Sequence, residues 1–198
     1  MTTTIRRWVP WRFVLAAGLV VAASVVSAAS GRTAQAPGVN ADAAVLADFM
    51  KRVEAYATLR QKVDGTLKEP PQDRPEAFAD HELELARLMQ RERRDAKAGD
   101  IFTKPMRNIV RRLLAGVFRG ADGREIKKSI LDEETGHITL RVNAQYPEGA
   151  PLSTMPLQIL QGLPKLPDGL EYRFIGERLI LLDGHARLIV DVVGRVFP

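Results

Sequence analysis

The sequence predicts an α+β domain: N-terminal helices, then an antiparallel sheet that ends in a three-stranded meander. Three observations predict it. Apolar residues recur at spacings of three and four up to about residue 133, as helices with one buried face require. From His137 the period changes to two, the signature of strands with one buried face. The chain has 198 residues, 45% of them apolar, and no cysteine, which suits a single core of ordinary size without disulfides.

The first element is a leader. Arg6, Arg7 and Arg12 precede an uncharged apolar run from Phe13 to Val26 and the small residues Ser27, Ala28, Ala29 and Ser30, the layout of a secretory signal. Residues 1–28 are read as a signal peptide, with Val26 and Ala28 at the positions that precede cleavage. Retained, the stretch Phe13–Gly31 reaches the lower length of a spanning helix and would anchor the chain in the inner membrane. Either way the basic end stays in the cytoplasm, so the rest is expected in the periplasm or secreted. Ile5 and Pro10 fit a twin-arginine signal poorly, which favours the ordinary secretory route.

The leader also explains the charge. Of 29 Lys+Arg against 24 Asp+Glu, three arginines and no acid lie in residues 1–28, leaving 26 against 24. The sequence pI of 9.7 is therefore largely a leader effect, and no nucleic-acid partner is expected from bulk charge.

Residues 29–39, with Pro37 and Gly38, read as a flexible linker to a single domain over 40–198. A first helix starts near Asn40 or Asp42 and runs to about Val63; Leu46, Phe49, Val53, Tyr56, Val63 and Leu67 form its stripe, broken only by Arg60. Pro75 opens a second helix, because a proline at the first position gives up an N–H that had no partner. It is expected to reach Ala98 before Gly99, with Phe78, Leu85, Leu88 and Met89 buried. Thr103 caps a third helix in which Met106, Ile109, Val110, Leu113, Leu114 and Val117 make one apolar face. A fourth covers about Gly123 to Glu133.

Ile138, Leu140, Val142 and Ala144 then alternate with polar residues as a strand from His137 to Gln145. A short helix through Leu160 follows Pro156. The last residues form the meander, with turns at Gly176-Glu177 and at Asp183-Gly184, a strong signal for a two-residue hairpin turn. In that register Ile180 faces Arg187 and Leu179 faces Leu188. Leu170, Tyr172, Phe174, Leu179, Leu181, Ala186, Leu188, Val190 and Val192 share the core face. The reverse face is mixed, isolated apolar side chains among charges, and Arg173, Ile180 and Arg187 lie in one row across it.

Most catalytic machinery is absent. The chain has no G-x-S-x-G, no G-x-x-x-x-G-K, no G-x-G-x-x-G after a strand and no H-E-x-x-H. Beyond the leader the serines are Ser30, Ser129 and Ser153, and the histidines His81, His137 and His185. His81-Glu82 lacks the second imidazole of a zinc helix, and the Glu134/His137 pair has Gly136 between its members and no partner motif. No metal and no cofactor is expected.

Two surfaces carry the binding expectations. On the mixed sheet face, Arg173, Arg178, His185, Arg187 and Asp191 are candidates for an anionic small ligand, since arginine grips carboxylate or phosphate with two parallel bonds. A cross-strand pair of Asp191 with Arg178 or Arg187 is the simpler reading there. On the third helix, Lys104, Arg107 and Arg111 project from one side toward an anionic partner or a membrane surface; pairing with acids of the second helix is the alternative.

The run LEYRFIGERLILLDGHARLIVDVV, with AKAGDIFTKP upstream, resembles a family of uncharacterised exported bacterial proteins over most of the chain from Asp42. The resemblance implies an envelope location and brings no activity or catalytic residue. The leading expectation is an exported, non-catalytic protein that binds a partner or an anionic small ligand. An envelope hydrolase using carboxylates and one histidine, and a protein held at the membrane surface by its basic helix, are the alternatives.

Overall fold

A computed structural model describes residues 37–132, 138, 140–147, 150 and 154–197; the expected leader, Glu133, Glu134 and His137 lie outside them. Among the described residues five helices precede three strands: α1 (Pro37–Asp64), α2 (Pro75–Glu92), α3 (Lys104–Arg119), α4 (Gly123–Asp132), α5 (Leu157–Leu160), β1 (Leu170–Ile175), β2 (Arg178–Asp183) and β3 (Leu188–Val193). The strands form one antiparallel sheet in the order β1-β2-β3. The α+β class is as expected, with two boundaries moved. Helix α1 begins at Pro37, inside the expected linker. Helix α2 ends at Glu92 rather than Ala98, and the chain then turns to Gly99, whose φ of 97° suits only a residue without Cβ.

The core lies between the helices and one face of the sheet. Phe49, Val53, Tyr56 and Val63 of α1, Leu85, Ala86 and Met89 of α2, and Met106, Val110 and Leu114 of α3 are buried in it. From the sheet come Leu170, Tyr172, Phe174, Leu179, Leu181, Leu188, Val190 and Val193. Phe102, in the α2–α3 loop, stacks on Phe49 at 5.4 Å and leans on Tyr172 at 6.4 Å, so one ring ties loop, helix and sheet; burying it contributes about 2–3 kcal/mol. Phe78 is exposed, contrary to expectation: it lies in the first turn of α2, and only further along do Leu85, Ala86 and Met89 enter the core. Thr103 makes no side-chain cap; its carbonyl accepts the Arg107 N–H at 2.8 Å.

Three expectations about the sheet are corrected. The first turn holds, with Gly176 at φ 54° and Ile175 opposite Arg178, but the second does not. Asp183 pairs with Leu188 as a strand residue, and Gly184–Arg187 form a four-residue turn in which Arg187 has the positive φ, 46°. The cause is the Asp183 carboxylate, which accepts the N–H groups of His185 and Ala186 at 3.0 and 3.1 Å and so shapes the loop itself.

The second correction is a bulge. Leu182 pairs with Ile189 but Leu181 pairs with Asp191, leaving Val190 as the extra residue of β3. A bulge switches the face presented by the residues after it. Val192 accordingly moves to the reverse side and Val193 into the core. Asp191 turns to the core side and is fully buried.

The third concerns the reverse face, which is covered rather than open. Ile175, Ile180, Leu182 and Ile189 are buried there with Ala144 and Tyr146, and Ile138, Leu140 and Ala150 pack around them. The expected strand from His137 is absent among the described residues. Instead 140–147 runs along the free edge of β3, joined by Asn143 N–H to Ile189 O, Ile189 N–H to Ala144 O and Tyr146 N–H to Arg187 O. The φ of Asn143, 61°, interrupts the extended backbone. The segment blunts an edge that would otherwise be open to pairing.

Gly123 opens α4 against the end of α3, and a Cβ there would stand 2.1 Å from the Phe118 carbonyl oxygen. Because the obstacle is backbone, Gly123→Ala is expected to destabilise the protein by at least about 2 kcal/mol. Chemical denaturation reads it; a variant within about 0.5 kcal/mol of the parent would show that α4 shifts freely.

Candidate functional site

An open cleft of about 1110 Å³ lies where the end of α2, the α2–α3 loop, α3, the edge segment and the ends of β2 and β3 meet. Arg94 and Lys97 come from the α2–α3 loop, Arg94 two residues past the end of α2. Arg107 and Arg111 lie one turn apart on α3, Arg141 on the edge segment, Arg178 at the start of β2 and Arg195 just after β3. These seven cationic side chains share the lining with Leu140, Val142, Val192, small residues and the amides Gln90 and Asn143; among the described residues no acid and no aromatic ring lines it.

Each wall is held by specific bonds. Asp191 grips the α2–α3 loop: one carboxylate oxygen accepts the N–H groups of Gly99 and Val192 at 2.8 and 2.7 Å, the other those of Ile101 and Phe102 at 2.8 and 2.7 Å. The loop in turn lies under α3, where an Arg107 guanidinium nitrogen comes within 3.0 Å of where a Gly99 Cβ would stand. Asn143 ties the edge segment to α2: its side-chain oxygen accepts from Arg93 at 2.8 Å, its amide donates to the Arg93 carbonyl at 2.6 Å, and its own carbonyl accepts from Gln90 at 2.9 Å. Arg93 also donates to the carbonyl of the bulge residue Val190 at 3.1 Å and lies over the Tyr56 ring. Its burial lowers its pKa from the usual arginine value, and the field of Tyr56 and Asp191 acts against that. Arg111 donates to Gly194 O, and Val196 N–H to Glu177 O, which brings the tail carrying Arg195 beside the β1–β2 turn and Arg178.

The charges are left uncompensated. Among the described residues Lys97, Arg107, Arg111, Arg141, Arg178 and Arg195 have no carboxylate within 4 Å, and Arg94 meets only exposed Asp95 at 3.4 Å. Like charges gathered in a concave, partly apolar wall concentrate a positive potential. Guanidinium groups converging from several elements can grip an oxyanion from more than one side.

The sequence candidates divide accordingly. Arg107, Arg111 and Arg178, taken from two separate surfaces, converge on this cleft; Lys104 is exposed and stands outside it. Arg112, on the same helix, pairs with Asp42 of α1 at 2.6 Å rather than with α2. Arg173 is held by Glu171 of its own strand and borders an apolar cavity of about 530 Å³ with Leu160, Leu163 and Tyr172. Arg187 lines a different, smaller recess with Glu82 and Tyr146. The row of Arg173, Ile180 and Arg187 is not formed, because Ile180 pairs with Val192. The suggested pairing of Asp191 with Arg178 or Arg187 is overturned by its four N–H bonds on the core side. His185 is exposed in its turn, 3.9 Å from exposed Asp168; His81 meets Asp64 at 2.7 Å.

Arg94, Lys97, Arg141 and Arg195 escaped the sequence reading. The basic run Arg91–Lys97 was a local signal for the first two; Arg141 and Arg195 had none, since chain folding alone brings them here. Among the described residues no group of three metal-ligating side chains gathers, and no helix is long and apolar enough to cross a membrane. Comparison with family models, with curated proteins and with solved structures finds no match for this chain.

Proposed function

We propose that the protein is exported to the cell envelope and there binds an anionic ligand, without transforming it, in the cleft between α2, α3 and the sheet. The observation that carries this reading is the convergence of seven cations from five segments of the chain, with no acid beside them in the lining among the described residues. Ion pairing of surface arginines normally disperses such charge; a cleft that keeps it is complementary to negative charge. The leader supports the envelope location. The apolar face of α3, with Met106, Val110 and Leu114 in the core, supports a soluble anion over insertion of that helix into a bilayer.

The test is binding of inorganic pyrophosphate to the full chain, followed by thermal shift and calorimetry at low and raised salt. Pyrophosphate is expected to stabilise the fold, by about 2.7 kcal/mol when present at a hundred times its Kd, with the effect weakening as salt rises. The triple variant Arg107→Ser, Arg178→Ser, Arg195→Ser should fold and lose the shift. A shift of equal size in that variant, or none in the parent, overturns the assignment.

A further inference from the structure

The positive surface does not stop at the cleft. Gln90 and Arg94, which line it, also line a shallow groove along α2 whose other walls are Arg87 and Arg91. Arg87, Arg91 and Arg94 follow one another at spacings of four and three, which places them along one side of the helix and its exit over about 10 Å. Arg87 meets Glu84 at 3.3 Å and Arg94 meets Asp95 at 3.4 Å, and all four side chains are exposed. Such pairs are weak and yield to a stronger anion.

A compact ion would need the cleft alone. A track that leaves the cleft and continues along a helix fits a ligand with charge repeated along its length. We infer, building on the anion-binding reading above, that the ligand is a linear, base-free polymer with phosphate groups in its backbone, which fills the cleft and continues over Arg91 to Arg87. Two observations favour this chemistry over other polyanions. Among the described residues neither the cleft nor the groove has an aromatic lining residue, so these walls offer no platform on which nucleic-acid bases stack. An extended acidic peptide points alternate side chains to opposite faces, so about half its carboxylates would face away, whereas a phosphate backbone carries its charge on the chain itself. Guanidinium forks match the paired oxygens of each phosphate.

The experiment compares inorganic polyphosphate of several tens of units with tripolyphosphate, on the full chain and on the double variant Arg87→Ser, Arg91→Ser. The long chain is expected to bind the parent at least about tenfold more tightly per molecule, with a steeper loss of affinity as salt rises. The double variant should lose about tenfold for the long chain and bind tripolyphosphate within about twofold of the parent. If tripolyphosphate binds but the long chain gains nothing, or the double variant binds it unchanged, the polymer inference fails and the anion-binding reading stands. If neither binds, both fail. Polyglutamate or an oligothymidylate of equal charge binding as tightly as polyphosphate would also overturn the choice of polymer.

Discussion

Asp191→Asn is expected to cost about 3 kcal/mol or more, since hydrogen bonds to a charged group contribute about 1.5–3 kcal/mol each. Four backbone N–H groups point at this carboxylate, two at each oxygen. Asparagine keeps the shape but turns one oxygen into a donor, so two of those N–H groups would face another N–H in a site closed to water. The injury would spread, because these bonds hold the α2–α3 loop in place, with Phe102 in the core and Lys97 and Arg107 in the cleft wall. Urea unfolding should therefore show a large fall in midpoint, and pyrophosphate affinity should fall with it under conditions where the variant is still folded. Asp100→Asn is the control: its carboxylate accepts one exposed N–H, from Lys97, and the change should stay within about 1 kcal/mol. Equal stability of the Asp191 variant and the parent would mean that the loop is held by its apolar contacts alone.

Asp183→Ala should be of similar size, about 3–5 kcal/mol, the usual cost of removing one partner from a buried charge pair. Asp183 is fully buried and accepts from Tyr56 Oη at 2.6 Å, from Arg60 at 3.2 Å and from two N–H groups of its own turn. Arg60 in turn donates to the Asp168 carbonyl at 2.8 Å. Losing the carboxylate strands a largely buried guanidinium, a phenol and two amides together. The double variant Asp183→Ala, Arg60→Met should recover part of the loss, and a double-mutant cycle in urea measures how much; strict additivity would show that the pair does not interact.

Tyr56 gives the same cluster a pH signature. Burial, then the neighbouring Asp183 charge and the hydrogen bond to it, push its pKa well above the ordinary tyrosine value. A group that keeps its proton longer in the folded state contributes stability that is fully present below the unfolded value of about 10 and is lost as pH rises beyond it. Tyr172 and Tyr146 are raised too, chiefly by burial, and steepen the same alkaline loss.

Much of the fold is legible from local pattern. The helical stripes named the buried residues of α1 and α3 because side chains three and four apart share a face whatever the rest of the chain does. Arg60 marks the limit of that reasoning: it interrupts an apolar stripe, and its reason is a carboxylate 123 residues away. The Asp183-Gly184 signal failed likewise. A local turn preference amounts to a few tenths to about one kilocalorie, less than a buried acid gains from Tyr56 and Arg60.

Sequence alone determined the α+β class, the order of the helices and of the three meander strands, the register across the Gly176 turn and the basic side of α3, because each follows from periodicity or turn chemistry within a few residues. Tertiary structure decided the bulge at Val190, the inward turn of Asp191, the covering of the second sheet face and the meeting of Arg94, Arg107, Arg141, Arg178 and Arg195 around one cleft. Those outcomes depend on partners far apart in the chain, as Asp191 and Ile101 are at 90 residues. Only the closed core, which leaves a buried carboxylate no water to turn to, makes one arrangement of them lower in free energy than the rest.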